Sequence, residues 1–281
     1  MTDPLLTVDD LSVVYPGKGW RAKPFPALRG VSLRIAAGRT VGLVGESGSG
    51  KTTLGRAVLG LAPVSDGRIA FDGDDITRAT RRRRLSLSRD IQVVFQDPFT
   101  SLNPSMTISE ILAEPLIAQG VARIEARRTI GTLLDQVGLP TSSLERLPRE
   151  FSGGQRQRIA IARALALEPR LIVCDEPVSA LDLTTQRRVL DLLVDIQHET
   201  GVAYLFVSHD LDVVRHISHD VAVMYRGGIV EQGSGAVVTS APVHPYTRRL
   251  FFASPVPDPD EQQSRRERRR ALVQTESQVV S

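Results

Sequence analysis

The stretch GESGSGKTT at residues 45–53 constrains this chain more than any other, because it fixes both a turn and a binding chemistry. It fits the pattern G-x-x-x-x-G-K-[ST] and stands between a strand-like segment, TVGLVG, and a helix-like one, TLGRAVLGL. In such a phosphate loop, successive backbone N–H groups converge on a phosphate, and the following helix adds a positive field. The predicted nucleotide-binding residues of the loop are Gly45, Glu46, Ser47, Gly48, Ser49, Gly50, Lys51, Thr52 and Thr53.

The stretch LIVCDEP at residues 171–177 adds carboxylates to this predicted site. Asp175 ends an apolar run that is typical of a buried strand, and Glu176 follows it. We expect Thr52 and Asp175 to hold Mg²⁺ and Lys51 to contact the β- and γ-phosphates. Glu176 can then act as general base toward an attacking water. A carboxylate pair at a strand end also fits an ordinary helix cap, but the phosphate loop upstream favours catalysis.

Strand-like and helix-like segments alternate along most of the chain. Apolar runs such as PRLIVCDEP and VAYLFVSHD lack the polar alternation of a half-exposed strand, and amphipathic segments separate them. This pattern predicts a mainly parallel sheet covered by helices on both faces. The chain is helix-like from about residue 105 to 148, and VAVMYRGGIVEQG predicts a hairpin that turns near Gly227–Gly228.

Composition limits the class of protein further. Hydrophobic residues make up 41% and charged residues 24% of the chain, which is ordinary for a soluble globular protein. No apolar run approaches the roughly 18 residues of a membrane span, and MTDPLLTVDD does not resemble a signal peptide, so the chain is expected in the cytoplasm. The single cysteine, Cys174, excludes an intrachain disulfide and a four-cysteine metal site, and it is expected in the core.

Two arginine runs stand out against a net charge of only +3. RRRR fills residues 81–84 and RRERRR fills residues 265–270. Such runs fit either solvated loops and tails or contacts with nucleic acid or anionic lipid. Neither run is interleaved with the aromatic residues that base stacking uses. We therefore interpret them as a solvated loop and a solvated tail.

Three motifs in a fixed order carry a resemblance to one family. The phosphate loop, the signature segment FSGGQ at residues 151–155 and CDEP at residues 174–177 resemble the motifs of the ATP-binding cassette (ABC) ATPases. The resemblance extends from about residue 5 to 235. It implies an α/β fold with a P-loop NTPase (RecA-like) core, an antiparallel β subdomain and an inserted α-helical subdomain that carries the signature. The implied parts are the cassette, 1–235, its helical subdomain, about 97–168, and a C-terminal extension, 236–281.

The resemblance also assigns roles to single residues. Gln96 in VFQDP resembles the glutamine that links the Mg²⁺ site to the helical subdomain, and it is expected to act in Mg²⁺ binding and catalysis. His209 in FVSHD resembles the switch histidine that contacts the γ-phosphate. Asp182 in SALD resembles the dimer-sensing residue through which two cassettes respond to each other. Tyr15 resembles the aromatic residue that stacks on adenine, so the implied ligands are ATP and Mg²⁺.

The signature segment supplies a second glycine-rich cradle for the same nucleotide. In this family two cassettes pair head to tail, and each ATP lies between the phosphate loop of one and the signature of the other. The letters SGGQ predict a helix start whose unpaired N–H groups face the partner's γ-phosphate. The residues expected to act in trans are Ser152, Gly153, Gly154 and Gln155.

Two further stretches resemble one branch of the family, the ATPases of oligopeptide and dipeptide importers, which also includes nickel and glutathione systems. They are QVVFQDPFTSLNPSMTI at residues 92–108 and APVHPYTRRLFFASPVPDPD at residues 241–260. Some relatives hold an iron–sulfur cluster in this extension, but here the extension has no cysteine, so no cluster is expected. Residues 241–260 are expected to pack on the cassette, and the basic end of the chain to be disordered.

The resemblance implies partners as well. They are a second ABC ATPase subunit (the same chain or a paralogue), transmembrane permease subunits and, indirectly, an extracytoplasmic solute-binding protein. The helical segment around residues 97–135 is expected to form a groove for a short permease helix. The chain would then lie peripherally on the cytoplasmic face of the plasma (inner) membrane.

Other interpretations compete with this one. A soluble, non-transport ABC ATPase acting on nucleic acid would normally carry a long coiled coil or a zinc insertion, and no heptad run is visible here. A kinase-like phosphotransferase would have no use for SGGQ. His216 and His219 lie one helical turn apart beside Asp220 and suggest a metal site, but no third ligand is evident, so we interpret them as surface residues.

Overall fold

The computed structural model describes residues 3–17, 19 and 23–253. The strands in chain order are β1 (Leu6–Tyr15), β2 (Phe25–Ile35), β3 (Thr40–Val44), β4 (Val64–Phe71), β5 (Asp74–Asp75), β6 (Ile91–Val94), β7 (Leu171–Asp175), β8 (Ala203–Ser208), β9 (Asp220–Tyr225) and β10 (Gly228–Ser234). The helices are α1 (Lys51–Val58), α2 (Arg81–Leu87), α3 (Pro98–Ser101), α4 (Ile108–Ala118), α5 (Arg123–Gln136), α6 (Gly153–Leu165), α7 (Leu183–Thr200), α8 (Leu211–Ile217), α9 (Gly235–Val238) and α10 (Pro245–Ala253).

These strands form two sheets within the described ranges. β2, β1, β4 and β5 make an antiparallel sheet in that order, in which Val8 lies opposite both Leu33 and Ile69. β1 alternates buried and more exposed residues, as a strand with one face on a core must. This sheet is the antiparallel subdomain that the family resemblance implied.

The second sheet has the order β10-β9-β3-β8-β7-β6, and its strands from β9 to β6 are parallel. β3 and β8 are buried along their whole length, because both faces of the sheet are covered. β10 is antiparallel to β9 and forms the predicted hairpin. The predicted parallel sheet is therefore confirmed, and the carboxyl ends of its strands lie at one edge, where ligands bind in such sheets.

Two cores flank the parallel sheet. Along β7, Ile172 and Cys174 face a core shared with α4, α5 and α6, whereas Leu171 and Val173 face a core shared with α1 and the antiparallel sheet. Cys174 is fully buried, as expected, and burial raises the pKa of its thiol. The inserted helices thus pack on one face of the sheet and leave its carboxyl edge open.

The first arginine run corrects our expectation of a solvated loop, because residues 81–84 begin helix α2. Thr80 caps this helix by accepting a hydrogen bond from the Arg83 backbone N–H. Arg84 is partly buried and donates hydrogen bonds to the carbonyl oxygens of Val58, at 3.0 Å, and Ile76. Val58 is the last residue of α1 and Ile76 directly follows β5, so Arg84 fastens α2 to neighbouring parts of the cassette. The second run, 265–270, lies outside the described residues.

Candidate functional site

The phosphate loop joins the carboxyl end of β3 to the start of α1, as predicted. Gly50 has a φ of 108°, and a Cβ atom there would lie 2.8 Å from the carbonyl oxygen of Ala27. Only glycine fits this turn without displacing β2. The turn between β9 and β10 holds the loop from the other side, because the Gly227 N–H donates to the Ser49 carbonyl at 2.9 Å.

Lys51 lies beneath the phosphate loop with only 4% of its surface exposed. Its Nζ donates to the carbonyl oxygens of Gly45, at 2.7 Å, and Glu46, at 3.0 Å. Burial lowers the pKa of Lys51, although nearby carboxylates oppose this shift. Among the described residues, no carboxylate lies within ion-pair distance of Nζ, so the site favours an anionic ligand such as a phosphate.

Thr52 and Asp175 lie together, as expected for residues that hold Mg²⁺. The Thr52 hydroxyl donates to Oδ1 of Asp175 at 3.0 Å. Burial raises the pKa of Asp175, and the Thr52 hydrogen bond opposes that shift. A hydroxyl and a carboxylate beside a phosphate loop are the oxygen ligands that Mg²⁺ prefers. These residues therefore fit the ion.

Glu176 is the centre of a small polar cluster. Its Oε2 lies 3.0 Å from Nδ1 of His209 and 3.4 Å from Nε2 of Gln96, which donates to it. With the carboxylate ionised, Nδ1 of His209 is the donor. The Glu176 side chain is 17% exposed and the His209 side chain 56%, so the cluster is open to solvent on the histidine side.

The backbone of Glu176 is strained in a way that often marks a functional site. Its φ is 49°, in the left-handed region that costs a non-glycine residue about 1–3 kcal/mol. The conformation is held by its N–H, which donates to the Val207 carbonyl at 3.0 Å, and by its carbonyl, which accepts from the Ser179 N–H at 3.2 Å. These bonds fix the direction of the carboxylate relative to the phosphate loop.

A cavity of about 570 Å³ joins these groups. It lies at the carboxyl edge of the parallel sheet and brings together most of the predicted nucleotide and catalytic residues. Its described lining consists of Phe25, Ala27, Ser47, Gly48, Gly50, Lys51, Thr52, Thr53, Gln96, Glu176 and His209. Asp175 joins this set through Thr52, and Gly45, Glu46 and Ser49 form the base of the loop.

Phe25 is the aromatic residue of this described lining, and no motif in the sequence pointed to it. It is 60% exposed and lies opposite Tyr15 in the pairing of β1 with β2. Tyr15 is half-buried, packs against the core and is not part of the described lining. The strand-like stretch FPALRGVSLRI at residues 25–35 is the sequence signal that could have revealed Phe25.

The signature segment lies outside the described lining of this cavity. Ser152 caps α6 by accepting from the Gln155 N–H at 3.3 Å, while the Gln155 side chain accepts from the Ser152 N–H at 3.0 Å. The first N–H groups of a helix have no partner within the helix, and Ser152 and Gln155 at this helix start are exposed. A Cβ atom on Gly154 would lie 2.3 Å from Cγ2 of Thr185, so glycine allows α6 to approach the start of α7.

Asp182 caps the neighbouring helix α7. Its Oδ1 accepts from the Thr185 N–H at 3.0 Å, and the hydrogen bonds from Thr185 lower the pKa of the Asp182 carboxyl. Because Thr185 also packs against Gly154, the predicted dimer-sensing residue and the signature segment share one contact region. The two lie together although Asp182 and Gly154 are 28 positions apart in the sequence.

The two histidines of α8 and its following turn have separate partners. Nε2 of His216 lies 2.8 Å from Oδ1 of Asp191, and Nδ1 of His219 accepts from the Thr40 N–H at 3.0 Å. No group of three or more potential metal-ligating side chains occurs in the part of the chain that the structure describes. His219 is exposed, as expected for a surface residue, whereas His216 is only partly exposed.

The sequence model of a family described as "ABC transporter" matches residues 28–179, which is more than half of the chain. The chain belongs to this family. The predicted family is thus confirmed. None of the helices in the described ranges is long and apolar enough to cross a membrane.

Within this family, the chain is similar to curated proteins named for oligopeptide transport. The chain is 48% identical over 264 residues to the oligopeptide transport ATP-binding protein OppF of Escherichia coli, covering 91% of this chain and 79% of that protein. It is 52% identical over 233 residues to the oligopeptide transport ATP-binding protein OppD of Mycobacterium tuberculosis, covering 83% of this chain. The chain spans only 38% of the length of that mycobacterial relative.

Solved structures agree with the fold. The structure of cbiO1 from Clostridium perfringens, part of the ABC transporter complex cbiONQ, superposes with a TM-score of 0.76 at 29% identity, covering 85% of this chain and 92% of that one. The dimeric post-hydrolysis structure of the ATP-binding cassette MJ0796, bound to ADP and Pi, gives a TM-score of 0.73 at 29% identity, covering 82% and 98%. The expected α/β cassette fold is confirmed.

Proposed function

We propose that this chain is the ATP-binding and ATP-hydrolysing subunit of an ABC importer of oligopeptides or dipeptides. One observation carries the enzymatic part: a single cavity combines the buried cation of Lys51, the Thr52–Asp175 pair and the Glu176–His209 pair. These groups can bind a triphosphate, hold Mg²⁺ and activate water. The relatives named as oligopeptide transport ATP-binding proteins support the peptide part.

Glu176 has the geometry of a general base in this cavity. Its carboxylate takes a proton from a water as the water oxygen bonds to the γ-phosphorus, while the bond from phosphorus to the β–γ bridging oxygen breaks. The products are ADP and phosphate. His209 and Gln96 orient the carboxylate through their hydrogen bonds to Oε2. Thr52 and Asp175 would hold Mg²⁺, which would supply positive charge beside the phosphates when bound.

A second cassette completes the site in this proposal. The start of α6 lies outside the described lining of its own chain's cavity, and Ser152 and Gln155 are exposed there, so they are available to a partner's nucleotide. The dimeric form of the solved cassette MJ0796 supports this arrangement. The partner is a copy of this chain or a paralogue.

A groove between α4 and α5 fits the permease contact. This groove, of about 700 Å³, has apolar side chains such as Ile117 and Ile124, which are 41% and 74% exposed, and charged side chains around them. Such an apolar centre with a polar rim is typical of a docking surface. α3 lies between Gln96 and this helix pair in the chain, so a permease helix in the groove is linked to the nucleotide cavity.

A solute-binding protein would act indirectly through the permease, and the subunit would lie peripherally on the cytoplasmic membrane face.

The nucleic-acid alternative finds no support in the described part of the chain. Arg84 is used by the carbonyls of Val58 and Ile76, and Arg83 pairs with Asp74 at 2.6 Å. Half of the first basic run is therefore engaged within the cassette.

The test of the proposed function is the Glu176→Gln variant in the complex that co-purifies with the chain. Glutamine keeps the size and the hydrogen bond to His209 but cannot accept a proton, and removing a general base typically costs about 10²- to 10⁴-fold in rate. We expect MgATP binding to remain and steady-state hydrolysis to fall by this factor. Hydrolysis near the wild-type rate would show that Glu176 is not the base. A complex without membrane subunits would contradict the transport proposal.

A further inference from the structure

A tyrosine of the C-terminal extension, Tyr246, contacts the phosphate loop from behind. Its hydroxyl oxygen accepts a hydrogen bond of 2.9 Å from the backbone N–H of Glu46, although the two residues are 200 positions apart. Tyr246 is only 3% exposed and belongs to a small apolar cluster with Val44, the last residue of β3. The extension thus reaches the base of the nucleotide site, which its distance along the chain did not suggest.

Several contacts fix this tyrosine in place. Glu231 of β10 accepts hydrogen bonds from the backbone N–H groups of Val243, at 2.8 Å, and His244, at 2.9 Å, just before α10 begins. The Tyr246 N–H then donates to Nδ1 of His244 at 3.2 Å, and the Tyr246 ring lies 4.2 Å from the ring of Tyr225. These contacts fix the start of α10 and thereby place the Tyr246 hydroxyl against the phosphate loop. The stretch HPYT at residues 244–247 thus has a structural role.

Lys51 and Tyr246 hold the same peptide group from opposite sides. The carbonyl oxygen of the Gly45–Glu46 peptide accepts from Nζ of Lys51, and its N–H donates to Tyr246. If Lys51 turned toward the phosphates of a bound nucleotide, its hydrogen bonds to the Gly45 and Glu46 carbonyls would be lost. The bond to Tyr246 does not depend on Lys51, so it can hold the loop in both situations.

We propose that Tyr246 is a positioning residue for nucleotide binding, which keeps the phosphate loop in the shape that receives the β- and γ-phosphates. This inference rests on the proposed ATP-binding function. Without the tyrosine hydroxyl, the Glu46 N–H must find water, and the loop must be restored to its shape each time a nucleotide binds. The C-terminal extension therefore strengthens ATP binding, although it comes after the cassette in the sequence.

Tyr246→Phe in the full-length chain tests this role, because it removes only the hydroxyl. Tyr225→Phe is the matched control, since it removes the same atom from the neighbouring ring. One hydrogen bond corresponds to about a two- to tenfold change in an equilibrium constant. Calorimetric titration with magnesium and a non-hydrolysable ATP analogue should give a Kd weaker by this factor for Tyr246→Phe, with Tyr225→Phe near wild type. In the assembled transporter, KM for ATP should rise by the same factor while kcat stays constant.

A purely structural role predicts a different result: a lower melting temperature for Tyr246→Phe with an unchanged Kd, and this result would overturn the proposal. A second measurement needs no variant. Amide hydrogen exchange in the wild-type chain should show the Glu46 N–H protected both without nucleotide and with it, whereas rapid exchange in either state would overturn the proposal. A wild-type chain that binds no nucleotide would instead refute the proposed function itself.

Discussion

Replacing Phe25 with leucine should weaken nucleotide binding if this ring is the platform for adenine. The ring is 60% exposed, lines the proposed nucleotide cavity and lies on β2 opposite the half-buried Tyr15 of β1. Stacking of a base on an aromatic side chain is worth about 1–3 kcal/mol by alanine substitution. Because leucine keeps part of the apolar contact, we expect a loss of about 1–2 kcal/mol, or roughly a 5- to 30-fold weaker Kd.

The assay compares two ligands and two variants. A fluorescent ATP analogue measures binding with the base, and competition by inorganic tripolyphosphate measures binding without it. Phe25→Leu should weaken the first and leave the second unchanged, because Lys51 and the loop are untouched. Tyr15→Leu makes the same chemical change on the opposing strand and tests the role that the family resemblance implies for Tyr15.

The outcome separates the two aromatic residues. If Tyr15→Leu weakens ATP binding by the expected factor and Phe25→Leu does not, the adenine lies on Tyr15 and our reasoning from exposure is wrong. If Phe25→Leu weakens tripolyphosphate binding equally, the substitution has disturbed the phosphate loop through β2. Chemical denaturation of each variant establishes that both are folded at the assay temperature.

Three further predictions concern other parts of the chain. Ser152→Arg should leave the ATP affinity of the lone chain unchanged and prevent dimer closure. In the wild-type dimer, photoreactive γ-labelled ATP bound to one chain should label residues 152–155 of the other chain. Labelling confined to the chain that holds the nucleotide would contradict action in trans. Arg84→Met should lower the free energy of unfolding in urea by about 1.5–3 kcal/mol, since charged hydrogen bonds to two carbonyls are lost, whereas Arg82→Met on the exposed side of α2 should change it little. Ile124→Glu should abolish co-purification with the permease and leave nucleotide affinity intact; a stable complex would show that the permease binds elsewhere.

Patterns in short stretches of the sequence predicted several elements of this fold. The phosphate loop between a strand and a helix, the apolar runs of β7 and β8, and the hairpin near Gly227 all follow from patterns within a few residues, and the structure confirms them. The family resemblance added Gln96 and His209, which the structure brings to the same cavity as Glu176.

The features that the sequence did not reveal depend on contacts between distant residues. The guanidinium of Arg84 bonds to the carbonyl oxygens of Val58 and Ile76, which come before α2 in the chain, and a run of arginines alone gives no sign of these contacts. Phe25 enters the cavity because β2 pairs with β1 from its first residue. Tyr246 reaches Glu46 across 200 positions, a contact that no local pattern encodes.

Helix α6 connects the signature segment at its start with helix α3 near its end, so a movement at one end can be transmitted to the other. Its first turn carries the signature segment, and near its last turn Arg163 donates to the carbonyl oxygen of Ser101, at 2.6 Å, in α3. Thirteen residues of α-helix form a stiff rod of about 20 Å. A tilt imposed on α3 would therefore move the far tip of the rod, where the other subunit's nucleotide would lie. In this way α6 could couple the two nucleotide sites, because a movement that begins in one subunit would reach the ATP bound to its partner.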